Sequence, residues 1–414
     1  MSENAVVIVG AGHAGVQAAV RLAELEWSGR IVMIEEQDGA TYERPPLSKE
    51  FLKAGAASET PITPLRKEQF FADKRIERVH GTVVGIDRAA HRVQLADGTS
   101  VGYSKLILAP GSAARSLRVP GGDLAGVHLL KTRADAEALR AALRPGARVV
   151  IVGAGYIGLE VAAAAAALGC ETTVLEFMDR VMSRVTSEPV SRFFEQLHES
   201  HGTRFVFGTA VTELTGNGRV EDVVTADGSS YPADLVVAGI GVVPRQEAAE
   251  AAGIAVRDGI LVDIESRTSD PDIYAAGDAT RLIHAEEGID RRLESIQSAQ
   301  AQAGNAANSI MGLPRGKNEV PWFWTIQHGV RLQTAGLRLP EDEIVLRGNP
   351  ADAQFTVLYL RDGRLAALDT IGSLSDFTAG KKLVAQGAPI DVDLAADRSV
   401  KLSAAVLEPV AQDS

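Results

Sequence analysis

Short apolar runs alternate with helical stretches through roughly the first 280 residues. Ala5 to Val9 is an unbroken apolar run and predicts a strand. Gly12 to Leu25 then predicts a helix, and Arg30 to Glu35 the next strand. The order recurs about 140 residues later. Arg148 to Val152 predicts a strand, Gly155 to Leu168 a helix and Glu171 to Glu176 a strand. Such alternation predicts an α/β fold with parallel sheets, and its recurrence predicts two copies of one module. Gly81 to Leu95 and Lys105 to Ala109 predict further strands, with Asp97-Gly98 as a turn. Past Met311 the pattern becomes one of hairpins: Glu343 to Leu346, Gln354 to Leu360 and Leu365 to Thr370, with Asp362-Gly363 as a tight turn. A helix, Asp376 to Gln386, follows. This predicts a separate C-terminal α+β domain.

Composition narrows the picture. A chain of 414 residues exceeds one ordinary core, so several domains are expected. No apolar run approaches the ~20 residues of a membrane span, and nothing at the start reads as an export signal. A cytoplasmic protein off the membrane is expected. The net charge of −12 argues against nucleic acid. Cys170 is the single cysteine, so this sequence holds neither a dithiol redox centre nor an internal disulfide. It reads as a small buried hydrophobe. No His/Cys/Asp cluster has metal-ligand spacing, so no metal is expected.

The candidate chemistry sits where strand meets helix. Gly10-Ala11-Gly12-His13-Ala14-Gly15 is a G-x-G-x-x-G directly after the first strand. The first glycine permits the tight turn, the second lets a pyrophosphate approach the backbone, and the third lets helix pack on strand. Glu35 closes the next strand, where a carboxylate can bind ribose hydroxyls. Gly153-Ala154-Gly155-Tyr156-Ile157-Gly158 repeats the motif, and Glu176 repeats the carboxylate. Two cradles imply two dinucleotides. At Glu176 a 2′-phosphate would meet like charge, which selects NADH over NADPH by up to ~4 kcal/mol at 4 Å. Arg180 and Arg184 stand close enough in sequence to soften that preference.

Further motifs complete the pattern. Tyr42-Glu43-Arg44-Pro45-Pro46-Leu47-Ser48-Lys49, Gly239-Ile240-Gly241-Val242-Val243-Pro244, Thr268 to Asp278 (ending Ala275-Ala276-Gly277-Asp278) and Pro321-Trp322-Phe323-Trp324 occur in that order. Together they resemble the oxygenase-coupled NADH-dependent ferredoxin reductases, within the glutathione-reductase-like flavoproteins. The resemblance runs from Val6 to about Gly387. It implies two Rossmann-type domains and a C-terminal α+β domain: residues 1–112 and 245–320 for FAD, 113–244 for NADH, and 321–414. It implies that FAD uses Gly10, Gly12, His13, Ala14, Gly15, Glu35, Arg44, Pro45, Lys49, Ala109, Gly111, Asp278 and Trp324. NADH would use Gly153, Gly155, Tyr156, Ile157, Gly158, Glu160, Glu176, Arg184 and Gly241. Three positions depart from the family pattern: Pro110 for threonine, Thr325-Ile326 where serine-aspartate is usual, and Arg245 where asparagine is common.

The same resemblance implies the chemistry. A hydride from NADH reduces FAD, and single electrons pass to a [2Fe-2S] ferredoxin that supplies an oxygenase. Lys49 and Glu160 are implied as the catalytic pair, the lysine stabilising negative charge on the reduced ring. A basic rim for the ferredoxin would draw on Arg66, Lys67, Lys74, Arg75, Arg291, Arg292, Arg331 and Arg338. A monomer is the favoured state. The rival readings are an NADH oxidase or quinone reductase on the same scaffold, and a non-catalytic NADH-sensing flavoprotein resembling the apoptosis-inducing flavoproteins.

Overall fold

The computed structural model describes residues 4–54, 62–284, 288–317 and 319–407. They form two compact units. One comprises Met1–Arg44, Pro61–Ala113 and Val242–Asn318; the other comprises Pro45–Thr60, Ala114–Gly241 and Glu319–Ser414.

The first unit is built on a five-stranded parallel sheet. Its order is Ile273–Ala275, Lys105–Leu108, Ala5–Val9, Arg30–Glu35 and Ile76–His80. Val6 and Ile8 face one core with the helices His13–Glu24 and Ile296–Ile310, while Val7 faces a second core with Val93, Leu95 and Ile254. Burial on both faces is why this strand reads as unbroken apolar sequence. The predicted stretch Gly81 to Leu95 folds as two antiparallel strands, Val83–Asp87 and Arg92–Leu95. His91 adopts a left-handed conformation just before the second.

The second unit repeats the plan. Its parallel sheet runs Arg204–Val206, Glu171–Leu175, Arg148–Val152, Leu235–Ala238 and Val127–His128. A five-stranded antiparallel sheet follows in the chain, ordered Trp322–Gln327, Val330–Gly336, Arg364–Ile371, Gln354–Arg361 and Glu343–Asn349. The Asp362-Gly363 turn has positive φ at both residues, 52° and 70°, which suits the two-residue hairpin its sequence predicts. Val149, Ile151 and Leu159 share one core with Leu332, Val357, Tyr359 and Ile371. The nucleotide module and the C-terminal sheet are therefore one packed body.

Both cradle helices start one residue later than the pattern suggests, at His13 and Tyr156. The reason is local: Gly12 and Gly155 serve as N-caps in extended backbone, and neither helix has a side-chain cap. The first-turn N–H groups are thereby left for a ligand. Among the described residues no helix is long and apolar enough to cross a membrane.

Candidate functional site

The two cradles pass the same steric test for a phosphate. A Cβ on Gly10 would stand 2.2 Å from the Ala109 carbonyl oxygen, and one on Gly15 would stand 1.8 Å from the Gly10 oxygen. These positions are closed by protein. A Cβ on Gly12 would meet only Arg44 Nη2, at 3.9 Å. In the second cradle a Cβ on Gly158 would lie 2.1 Å from the Gly153 oxygen, while one on Gly155 would meet nothing within 4 Å. Only the middle glycine of each motif faces open space, where a pyrophosphate would approach bare backbone. The residues present therefore fit a dinucleotide in each unit. His13 and Tyr156 occupy the first helical positions; Ala14 is buried and Ile157 is exposed.

Within the first unit other expected residues gather around Gly10. Ala109 is buried against it, and Gly111 turns the chain at a φ of 75°. The Gly111 carbonyl accepts the Arg245 N–H at 3.0 Å. The Arg245 side chain pairs with Glu36, which accounts for the arginine at that departure. The Cβ site on Gly277 lies 3.1 Å from Ala14 Cβ, so the loop carrying Asp278 abuts the cradle helix. Ser112 Oγ donates to Asp278 at 3.0 Å. Arg44 faces the open side of Gly12, and its guanidinium lies 6.0 Å from the centroid of the Tyr42 ring. Glu35 receives Arg78 Nε at 2.8 Å, and burial raises its pKa above the ordinary value.

Glu176 is held differently. One of its oxygens accepts the Ala154 N–H at 2.6 Å and the other the Met178 N–H at 2.8 Å. The second glycine turn itself thus orients this carboxylate. Arg180 donates to the carbonyls of Ser183 and Thr186 and to Ser191 Oγ, so its charge is committed to a loop. Arg184 is exposed. Gly241 has a φ of 96°, which a side chain would strain.

The implied catalytic pair meets inside the second unit. Lys49 Nζ lies 2.8 Å from Glu160 Oε1, and the two side chains are only 10% and 2% exposed. Lys49 Nζ also donates to the carbonyl of Pro45 at 3.3 Å. Glu160 projects from a helix, Tyr156–Ala167, that is buried from Gly158 to Ala165. A buried charge needs partners, and losing one costs about 3–5 kcal/mol. Two of its partners escaped the sequence reading: Ser48 Oγ donates to Oε2, and Thr325 Oγ1 donates to Oε1 at 2.6 Å. Their signals were proximity to Lys49 and an alternation in Trp322–Gln327. Thr325 and Gln327 face inward there, while Trp324 and Ile326 share the partly exposed side. Trp324 stacks on Trp322 at 5.4 Å, and Phe323 meets Tyr156 at 4.7 Å.

Two of the expected docking cations have partners within the chain. Arg338 donates to the Thr186 carbonyl at 2.9 Å and lies over the Tyr359 ring, a structural role. Arg292, with an 11% exposed side chain, pairs with Asp258 and Glu294. Both side chains are engaged within the protein, which charge alone does not reveal. Arg66, Lys67, Lys74, Arg75 and Arg331 are exposed. Cys170 is half-buried, its thiol donating to the Arg144 carbonyl at 3.3 Å, and burial raises its pKa.

Comparison with known proteins agrees with this geometry. Residues 4–303 match the pyridine nucleotide-disulphide oxidoreductase family, and residues 322–406 match the reductase C-terminal family. The chain is 44% identical over 390 residues to a ferredoxin--NAD(P)(+) reductase of a Sphingomonas species, covering 93% of this chain and 94% of that one. Its fold is similar to the ferredoxin reductase for the CYP199A2 system from Rhodopseudomonas palustris, with a TM-score of 0.93 and 38% identity over 98% of this chain and 100% of that chain. It is also similar to the reductase chain in the covalent putidaredoxin reductase–putidaredoxin complex, with a TM-score of 0.92 and 36% identity, covering 98% of this chain and 99% of that chain.

Proposed function

Because the chain belongs to the pyridine nucleotide-disulphide oxidoreductase family and carries its reductase C-terminal domain, we propose that it is an FAD-dependent NADH:ferredoxin reductase. It accepts reducing equivalents from NADH and delivers single electrons to a [2Fe-2S] ferredoxin serving an oxygenase. We assign residues 1–112 and 245–320 to FAD, 113–244 to NADH, and 321–414 to the C-terminal domain. The protein works as a cytoplasmic monomer in this reading.

One observation carries it: two cradles with open middle glycines occur in a chain with a single cysteine. Two dinucleotides are held, and no dithiol relays electrons between donor and acceptor. FAD, when bound, supplies the chemistry that takes electrons in pairs and releases them singly. The residues around it do the rest. The Gly12 turn and Arg44 bind its pyrophosphate; Glu35 and Asp278 orient its sugar portions. The Gly155 turn binds the pyrophosphate of NADH, and Glu176 takes its ribose hydroxyls, disfavouring a 2′-phosphate. Lys49, held in place by its contact with Glu160, supplies the positive potential that stabilises the electron-rich ring.

The test is stopped-flow absorbance on the purified flavoprotein. NADH is expected to bleach the flavin much faster than NADPH, and one [2Fe-2S] ferredoxin to reoxidise it rapidly and saturably. Reoxidation by oxygen or quinones alone would replace this reading with the oxidase. A charge-transfer complex that no acceptor discharges would replace it with the sensor.

A further inference from the structure

The contacts of Glu160 continue beyond Thr325. Gln327 Nε2 lies 3.3 Å from Thr325 Oγ1, His198 Nε2 lies 2.9 Å from Gln327 Oε1, and His328 Nε2 lies 3.2 Å from His198 Nδ1. His201 stacks on His328 with ring centroids 3.9 Å apart. Glu160, Thr325, Gln327 and His198 are 2%, 0%, 0% and 0% exposed, whereas His201 lies at the surface. This row leads from the Lys49 ion pair to the end of the helix Glu188–Ser200.

The direction of every bond follows from its inner end. An ionised carboxylate only accepts, so Thr325 spends its one proton on Glu160. Thr325 must then accept from Gln327, which turns the Gln327 amide nitrogen inward and its oxygen toward His198. His198 must therefore carry its proton on Nε2, which leaves Nδ1 to accept from His328. Four donors thus point the same way, toward one buried carboxylate. Aligned hydrogen bonds polarise and strengthen one another.

We propose that Thr325, Gln327 and His198 are positioning residues whose aligned donors orient the Glu160 carboxylate and so fix the Lys49 side chain; the inference rests on the reductase reading for the role of that lysine. None of the three touches the reacting atoms. The titratable and charged groups facing the row are Lys49 and Tyr156 at its inner end, and His201 and Lys53 at its outer end. Arg338 and Asp369 act on Tyr156 in turn. A neutral His198 agrees with its environment: burial lowers its pKa to about 4, and His328, half-buried beside His198, His201 and Lys53, is lowered to about 3. Among the described residues no three metal-ligating side chains are grouped to hold an ion, so the imidazoles do not read as a metal site.

Two measurements test this. In the first, the pH dependence of flavin reduction by NADH is recorded for the wild type, Thr325→Val and Thr325→Ser. Thr325→Val removes the hydroxyl donor aimed at the carboxylate, so it should move the acid limb to higher pH. Thr325→Ser, which keeps the hydroxyl, should restore it. An unmoved limb in Thr325→Val, or an equal shift in Thr325→Ser, overturns the proposal. If Thr325→Val fails to retain FAD, Gln327→Leu replaces it, with a smaller shift in the same direction. The second measurement needs no turnover. Nitrogen-15 spectra of histidine-labelled holoprotein at pH 7.5 should show His198 as the neutral Nε2–H tautomer, and any other form overturns the assignment. A wild type that NADH cannot reduce would sink the reductase reading while leaving the tautomer result to stand alone.

Discussion

The two cradles share a glycine scaffold and differ in what surrounds it. At the first, Arg44 faces the middle glycine and Arg78 grips the strand-end carboxylate. At the second, the middle glycine meets nothing, and backbone N–H groups alone hold Glu176. A site with a cation beside the middle glycine suits a dinucleotide that stays bound; one built from backbone suits a dinucleotide that comes and goes. Glycine spacing sets what can be held, and the neighbouring charges set how long.

The sharpest way to break the comparison is to block one middle glycine at a time. Gly12→Ala keeps a backbone that any residue can adopt but puts a methyl in the phosphate path. FAD content, read from absorbance, should fall roughly tenfold or more. Gly155→Ala should leave FAD content unchanged and raise the Kd for NADH by about 10- to 100-fold, measured by titration. Loss of FAD in both would show that the cradles are not independent.

Next in size is the buried pair. Glu160→Gln removes the counter-charge of Lys49, and flavin reduction by NADH should slow by about 10²-fold in single-turnover traces. Glu176→Ala should raise the NADPH:NADH efficiency ratio by roughly 10- to 100-fold, because the like-charge repulsion is gone. The matching change at the other cradle, Glu35→Ala, should leave that ratio unmoved.

The smallest effect is acid sensitivity, expected in the second unit. His198 has a folded pKa of about 4, below its unfolded value near 6.5. The unfolded chain then binds the proton first as pH falls, so stability is lost between about pH 6.5 and 4, by about 1–3 kcal/mol. Asp369, fully buried and raised to about 6, opposes this: its contribution is present in acid and lost as pH rises through 6. Hydrogen exchange at pH 5 against pH 7.5 should loosen Glu188–Ser200 before the His13–Glu24 helix. His198→Asn should weaken that response, and equal loosening of both helices would contradict it.

Much of this was legible in the residues. The strand-turn-helix units announce themselves because a strand buried on both faces must be apolar and a phosphate turn must be glycine. Lys49 and Glu160 were legible only through motif resemblance, since nothing local links them. Ser48, Thr325, Gln327 and His198 were not found, because their meaning lies in contacts between segments more than 100 positions apart. The inward phase of Thr325 and Gln327 was visible in the alternation, but phase gives a direction and not a partner. Arg292 and Arg338 show the same limit from the other side: their charge was legible, but the acids and carbonyls they engage were not.

The core joining Val149, Ile151 and Leu159 to Leu332, Tyr359 and Ile371 bears on how such reductases can be recombined. The domain order in the sequence invites exchanging the last hundred residues to recruit a new redox partner. That cut would divide one hydrophobic body and ask two unrelated halves to repack. Breakpoints near Ala114 and Gly241 follow the compact units instead, but the short Pro45–Thr60 segment, which carries Lys49, must travel with them. The second nucleotide module and the C-terminal sheet are therefore inherited together, as one graft in three pieces.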